Sequence, residues 1–185
     1  EAFVSCKANA WTDALCRAGI PMAFRALPKA CDDPDDLGAR EEMLLAACWS
    51  GVALANAGLG AVHGFAGVVG GLTGAPHGLI CATLLAPVCR ANIAALGPEG
   101  AHPALGKYAE LAEMLTGRDA EPEEGAGELE RLAARLPLRP FHVPEGTDGE
   151  RVVAGAMAAS SMKGNPVVLP KETLAALWMS VTKTS

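Results

Sequence analysis

An all-α fold, a bundle of seven or eight helices, is predicted by three features of the 185-residue sequence. Apolar side chains recur at helical spacing in one segment after another, and no stretch alternates as a half-buried strand does. Proline, glycine and short acidic or hydroxyl-bearing clusters punctuate these segments where helices start and stop. Half of the residues are apolar, yet only 4 % are aromatic, and small side chains at the contacts let helix axes lie close together. The length suits one domain spanning residues 1–185, with one sizeable core.

The elements follow in order. Residues 1–8 read as the tail of an element. A helix from about Asn9 to Leu27 carries Trp11, Leu15, Ala18, Met22 and Leu27 near the helical period; Pro21 kinks or restarts it and Leu27-Pro28 ends it. The run Asp32 to Asp36 starts the next helix, with Asp33 as N-cap, Pro34 in the first helical position and Asp35 and Asp36 facing the positive end of the dipole. This acidic cluster is better read as a cap than as a cation site. The helix then spans about 34–58 through Met43, Leu44, Ala47, Trp49 and Val52, and Asn56 and Gly58 stop it. A further segment, 59–70, carries His63; Gly74-Ala75-Pro76 breaks it, and a helix from His77 to about Leu96 follows, kinked at Pro87. Leu105 to Thr116 is amphipathic, and 118–127 is expected to be an acidic solvated loop before a short helix, Glu128 to Leu136. Thr147 and Glu150 form a capping box for a helix reaching about Ser160. Lys163 to Pro166 is a turn, and a last helix from Pro170 to Val181 has Leu174, Leu177 and Trp178 on one face.

Charge and cysteine usage narrow the function classes. The formal net charge is −6 and no basic stripe occurs, so nucleic acid is excluded as a partner. Six cysteines (6, 16, 31, 48, 81 and 89) include no Cys-x-x-Cys pair. Five lie in apolar, helix-like surroundings, which predicts buried, reduced thiols in a cytoplasmic protein. From Met43 to Cys89 there are 47 residues without a charged side chain, longer than the ~20 residues a membrane span needs. Nine glycines between Gly51 and Gly78, the Gly-Ala-Pro break and the lack of an aromatic belt or basic flank speak for the centre of a bundle and against a membrane. The sequence starts at Glu1 without a methionine, as a processed chain or a piece of a longer one would.

The chain is organised around Gly60 to Cys89, which holds two of the four histidines, His63 and His77, in glycine-rich apolar sequence. A buried imidazole needs a partner, because an unpaired polar group there costs a few kcal/mol. A metal ion and a backbone carbonyl both qualify. On an unbroken helix the fourteen-residue separation would put the two rings on one face but ~21 Å apart. The break at 74–76 lets the chain turn back and bring them together. Two imidazoles are fewer than the three or four protein ligands of a usual divalent site. Cys81, one turn after His77, is a conceivable third ligand, although a small apolar filler is the more ordinary role. His102 and His142 stand beside prolines in polar sequence and read as surface residues. No Gly-x-Ser-x-Gly, phosphate loop or dinucleotide fingerprint is present.

His63-Gly-Phe-Ala-Gly67, then Gly70-Gly71, Ala75-Pro76-His77-Gly78, Leu84-Leu85-Ala86-Pro87 and Asn92 resemble the C-terminal helical domain of the iron-containing (group III) alcohol dehydrogenases. The resemblance extends from Glu1-Ala-Phe-Val-Ser5 and Thr12-Asp13-Ala14-Leu15, through Asp33-Pro34, Ala39-Arg40 and Met43, to Asn165-Pro166. It implies a dehydroquinate synthase-like enzyme in which a dinucleotide-binding α/β domain and an all-α domain share an active-site cleft. This chain corresponds to the second domain only.

The resemblance also implies a chemistry. Iron(II), with zinc as the alternative, polarises the oxygen of a small alcohol or aldehyde while hydride passes to or from NAD or NADP. His63 and His77 match the last two of the family's four metal ligands. The first two, an Asp and a His, belong to a string that ends in His-x-x-Glu-Ala, and this sequence opens at that Glu. The nucleotide domain is likewise outside the sequence. Asp13 falls downstream of the missing Asp in the family pattern and does not replace it. Many members carry a histidine four residues after the first of these two ligands, where this chain has Gly67. The expectation is therefore the metal-binding half of a dehydrogenase, with an incomplete site, weak metal binding and no turnover by itself. The alternative is a free-standing helical domain that acts through homo-oligomers or a partner chain, such as one supplying the nucleotide domain.

Overall fold

The computed structural model describes residues 1–97 and 102–183. Among them are eight α-helices, one 3₁₀ turn (Ser160–Gly164) and no strand, as the sequence predicts. The helices are α1 (Ala10–Asp32), α2 (Leu37–Ala57), α3 (Ala61–Thr73), α4 (His77–Leu96), α5 (Pro103–Thr116), α6 (Pro122–Arg135), α7 (Gly149–Ala158) and α8 (Lys171–Lys183).

α1 and α2 form an antiparallel hairpin. Asn9 and Thr12 cap α1 reciprocally, and the helix runs through both Pro21 and Pro28 to Asp32, five residues beyond the predicted stop. Its packing along α2 outweighs the local cost of the prolines, about 3 kcal/mol each in a helix interior. The pre-proline restriction acts instead at Asp33, which is extended (φ −131°, ψ 97°) before Pro34 and ends the helix. Asp33 is thus the C-cap of α1. The side chain of Asp36 accepts from Ala39 N at 2.9 Å and starts α2, while Asp33 Oδ1 accepts from Asp35 N in an Asx turn. On α2 the buried residues are Ala39, Ala46, Ala53 and Ala57, a narrow stripe of small side chains against α1. Its other side exposes Leu37, Leu44, Leu45 and Leu54, so the helix that is apolar all round lies at an edge. Trp11, counted in the apolar period of α1, is 56 % exposed, whereas Thr12, Asp13 and Cys16 are buried.

α3 and α4 form the second hairpin. Gly74 takes the left-handed conformation (φ 67°) at the end of α3, and Pro76 precedes the first residue of α4. α4 is the one helix among the described residues long and apolar enough by itself to cross a bilayer. It packs against α3, α5, α6 and α8, and Pro87 lies inside it. One core joins α3, α4, α7 and α8 around Phe65, Ile80, Leu84, Val153 and Trp178; a second joins the N-terminus, α1, α5, α6, the end of α2 and the C-terminal part of α4 around Phe3, Ile93, Tyr108 and Leu111. Leu174 and Leu177 of α8 belong to the first core, as their spacing predicts.

Three further expectations are corrected. The acidic stretch 118–127 is largely helical, because α6 begins at Pro122 under a capping box of Glu121 and Glu124. Gly125 of α6 lies so close to α5 that an added Cβ would stand 2.9 Å from Ala112 Cα, a packing invisible to composition. Asp148, not Thr147, caps α7 by accepting from Arg151 N; the Thr147 hydroxyl bonds the Pro144 carbonyl instead. Only Cys16 and Cys89 are buried, Cys81 is half-buried, and Cys6, Cys31 and Cys48 are exposed, since the apolar stretch around Cys48 faces outward.

The two cores meet at a buried amide pair. Asn165 Nδ2 donates to Asn92 Oδ1 (2.7 Å) and to the Val167 carbonyl (2.8 Å). Asn92 Nδ2 donates to the Tyr108 hydroxyl (3.0 Å), and Asn165 Oδ1 accepts from Ala61 N at the start of α3 (3.1 Å). Asn165→Ala leaves the Ala61 N–H and the Asn92 amide short of partners, at about 1–3 kcal/mol for each unsatisfied group. A fall in urea-unfolding stability of about 2–4 kcal/mol is expected. A loss below about 0.5 kcal/mol, the range of a neutral surface change, would show that the pair does not tie the cores together. Two glycines of α6, Gly125 and Gly127, should respond with opposite signs. Gly125→Ala meets Ala112 backbone and should cost about 1–3 kcal/mol. Gly127→Ala meets only the flexible ends of Arg131, at 3.7 Å, and Arg90, at 3.9 Å, and should gain about 0.5–1 kcal/mol in the same assay.

Candidate metal centre

The turn at Gly74 to Pro76 folds α4 back along α3 and brings the imidazoles of His63 and His77 to a ring-centroid distance of 5.1 Å. His77 occupies the first position of α4, and Cys81 follows on the same face one turn later. The Cys81 sulfur lies 3.8 Å from His63 Nε2 and 3.5 Å from His77 Nε2. One potential ligand atom from each of the three residues falls within 4.8 Å of the others.

His63 is positioned by a residue that sequence reasoning passed over. The start of α3 has no side-chain cap of its own, because Gly60 precedes it. Glu1 and Asn165 supply the acceptors from afar. Glu1 Oε1 accepts from Val62 N at 2.8 Å, while Glu1 Oε2 accepts from His63 Nδ1. Gly60 makes room for both, since a Cβ there would lie 2.7 Å from Asn165 Oδ1 and 2.9 Å from Glu1 Oε1. With Nδ1 donating to a carboxylate, Nε2 is the free nitrogen and points toward Cys81. This is the orienting arrangement found behind metal-bound histidines. No local spacing signals it, because 62 residues separate Glu1 from His63.

The electrostatics follow from these contacts. The hydrogen bond with Cys81, then that with Glu1, push the His63 pKa up to about 9 against the opposing effect of burial. Burial pushes the Glu1 carboxyl up, but the His63 bond, the charge of His63 and the Val62 amide act to lower it. A cation binding at His63 Nε2 would have to displace a proton.

Around the donors the walls are apolar. A cleft of about 240 Å³ is bordered by Glu1, His63 and Cys81 with Leu54, Leu59, Val62 and Leu85. Gly67, one turn after His63, and Gly78, beside His77, have no atoms within 4 Å of an added Cβ. Position 67 thus has room for the side chain that the resemblance places there. His102 caps α5 by accepting from Ala104 N, and His142 is exposed, so neither joins the cluster. Asp13 is bound to Lys107 Nζ at 2.7 Å, where the lysine also donates to the Phe3 carbonyl. It ties α1 to α5.

Two imidazoles and a thiol on facing helices, with a carboxylate behind one ring, fit a borderline divalent cation of the iron(II)–zinc kind by donor chemistry. The profile of the Fe-containing alcohol dehydrogenase family, C-terminal, matches residues 1–182. Alcohol dehydrogenase 4 of Schizosaccharomyces pombe is 32 % identical over 183 residues, covering 97 % of this chain and 42 % of that protein. The probable alcohol dehydrogenase EutG of Salmonella typhimurium is 30 % identical over 169 residues, 90 % of this chain and 41 % of that protein. Among solved structures, a 1,3-propanediol oxidoreductase superposes with a TM-score of 0.83 at 28 % identity, over 98 % of this chain and 48 % of the other. The chain spans less than half the length of these relatives. It belongs to the iron-containing alcohol dehydrogenase family and matches the C-terminal, all-helical part of its members.

Proposed function

We propose that residues 1–185 are the metal-binding half of an iron-type, NAD(P)-linked alcohol dehydrogenase or aldehyde reductase, with His63 and His77 as two of the metal ligands. The observation that carries this is the convergence of the two imidazoles, 5.1 Å apart at their centroids, from helices on either side of a tight turn. A bound divalent ion, iron(II) or zinc, supplies Lewis acidity toward the oxygen of a small alcohol or aldehyde while hydride is exchanged with the nicotinamide. Glu1 holds the His63 ring with Nε2 outward. Leu54, Leu59, Val62 and Leu85 form apolar walls suited to a short carbon chain. NAD or NADP comes to the site on a nucleotide-binding domain outside these residues, in the same polypeptide or in a partner chain. The unpaired cysteines, three of them exposed, support a reducing, cytoplasmic setting. The burial of Ile80, Leu84, Val88 and Ile93 on α4 supports a helix of a protein core and not a membrane span.

A second reading is favoured by the bare outer side of α2, where Leu44, Leu45 and Leu54 are exposed. On it, the domain works through homo-oligomers or a partner chain without catalysis of its own. Metal titration separates the two. His63→Ala and His77→Ala should each weaken zinc or iron(II) binding at least about tenfold, and the 185-residue chain alone should turn over no alcohol. Variants that bind metal as the parent does would sink the metal-centre reading and leave the second. Glu1→Gln keeps a partner for the ring but removes the charge. It should weaken metal binding about 10–100-fold with helicity by circular dichroism unchanged; an unchanged affinity would show that the carboxylate merely caps α3.

A further inference from the structure

We propose that Cys81 is a third metal ligand of this centre, its thiolate binding the same ion as His63 and His77 and biasing the site toward zinc over iron(II). The inference rests on the reading of the two histidines as ligands. With Zn–S bonds of about 2.3 Å and Zn–N bonds of about 2.0–2.1 Å, a tetrahedral angle sets sulfur and nitrogen about 3.6 Å apart. The separations here, 3.5 Å to His77 and 3.8 Å to His63, lie on either side of that value. A filler thiol needs at most one hydrogen-bond partner, whereas this sulfur stands between two imidazole nitrogens.

The helices explain why the position can serve. His77 and Cys81 are four residues apart on α4 and share a face. His63 reaches them from α3, with Glu1 fixing its outward nitrogen. The open space at Gly67 and Gly78 leaves one side of the cluster free for a fourth ligand or a substrate oxygen. On coordination the Cys81 S–H gives its proton to solvent and the sulfur lone pair goes to the ion. A thiolate is the soft donor of the set, and zinc stands above iron(II) in affinity for such N/S sites.

Cobalt(II) is the probe, titrated into the purified protein. The expected result is visible d–d bands that grow together with a near-ultraviolet thiolate-to-cobalt charge-transfer band. Cys81→Ser should lose the charge-transfer band, keep the visible bands and bind cobalt at least about tenfold more weakly. Cys48→Ser, an exposed cysteine outside the cluster, should keep both. Visible bands without charge transfer, or charge transfer that survives in Cys81→Ser, would overturn the role of Cys81 and leave the histidine ligands standing. No bands of either kind in the parent would overturn both. The unmutated protein gives an independent test should the variant not fold. Saturating zinc should slow alkylation of Cys81, located by peptide mass, at least about tenfold, and an unchanged rate would overturn the proposal.

Discussion

The structure depends on how the N-terminus of α3 is capped. A helix start leaves four N–H groups without internal partners, and Gly60 has no side chain to offer. Glu1 and Asn165 bring an oxygen each, from opposite ends of the sequence, to Val62 N and Ala61 N. A carboxylate at that end also meets the positive pole of the helix dipole. Because the second oxygen of Glu1 holds His63 and the amide of Asn165 holds Asn92, the capping groups set the imidazole and join the two cores. Glycine at position 60 is required by this arrangement, since a methyl group would collide with both oxygens.

The same contacts put a formal charge beside a nearly charge-free stretch. Between Met43 and Cys89 no residue carries a formal charge other than what the histidines acquire. The negative charge beside His63 comes from Glu1, whose side chain is 9 % exposed. In such surroundings, with a dielectric below that of water, one carboxylate behind a ring acts more strongly than several on the surface. The ring is thereby held by Glu1 from outside the stretch and by Cys81 from within it, and both contacts favour its protonated form.

Much of the fold was legible because its punctuation is local. Gly58, Gly74 and Pro76 stop and restart helices where their backbone preferences say they must. The break at 74–76 turned a fourteen-residue separation of histidines into a contact, as the helix geometry required. Pro28 inside α1 and the outward face of α2 were decided by packing against another helix, along Ala39, Ala46 and Ala53, while the helical acidic stretch follows from its cap before Pro122 and from Gly125 against Ala112. Small residues announce little in a single sequence because they suit close packing and solvent equally. At the site, His63, His77 and Cys81 were visible by residue type and spacing. Glu1 was not, because its contact is made across the whole of the first hairpin.

The departures from the family pattern become coherent when placed on the helices. The resemblance puts a histidine at position 67, one turn after His63 on α3; this chain has glycine there and a cysteine one turn after His77 on α4. Each helix offers two positions one turn apart, His63 and Gly67 on α3 and His77 and Cys81 on α4. A side chain can be added at position 67 without backbone adjustment, because no atom lies within 4 Å of a Cβ built there. The groups beside the two imidazoles can therefore differ from those of the relatives while the fold stays the same.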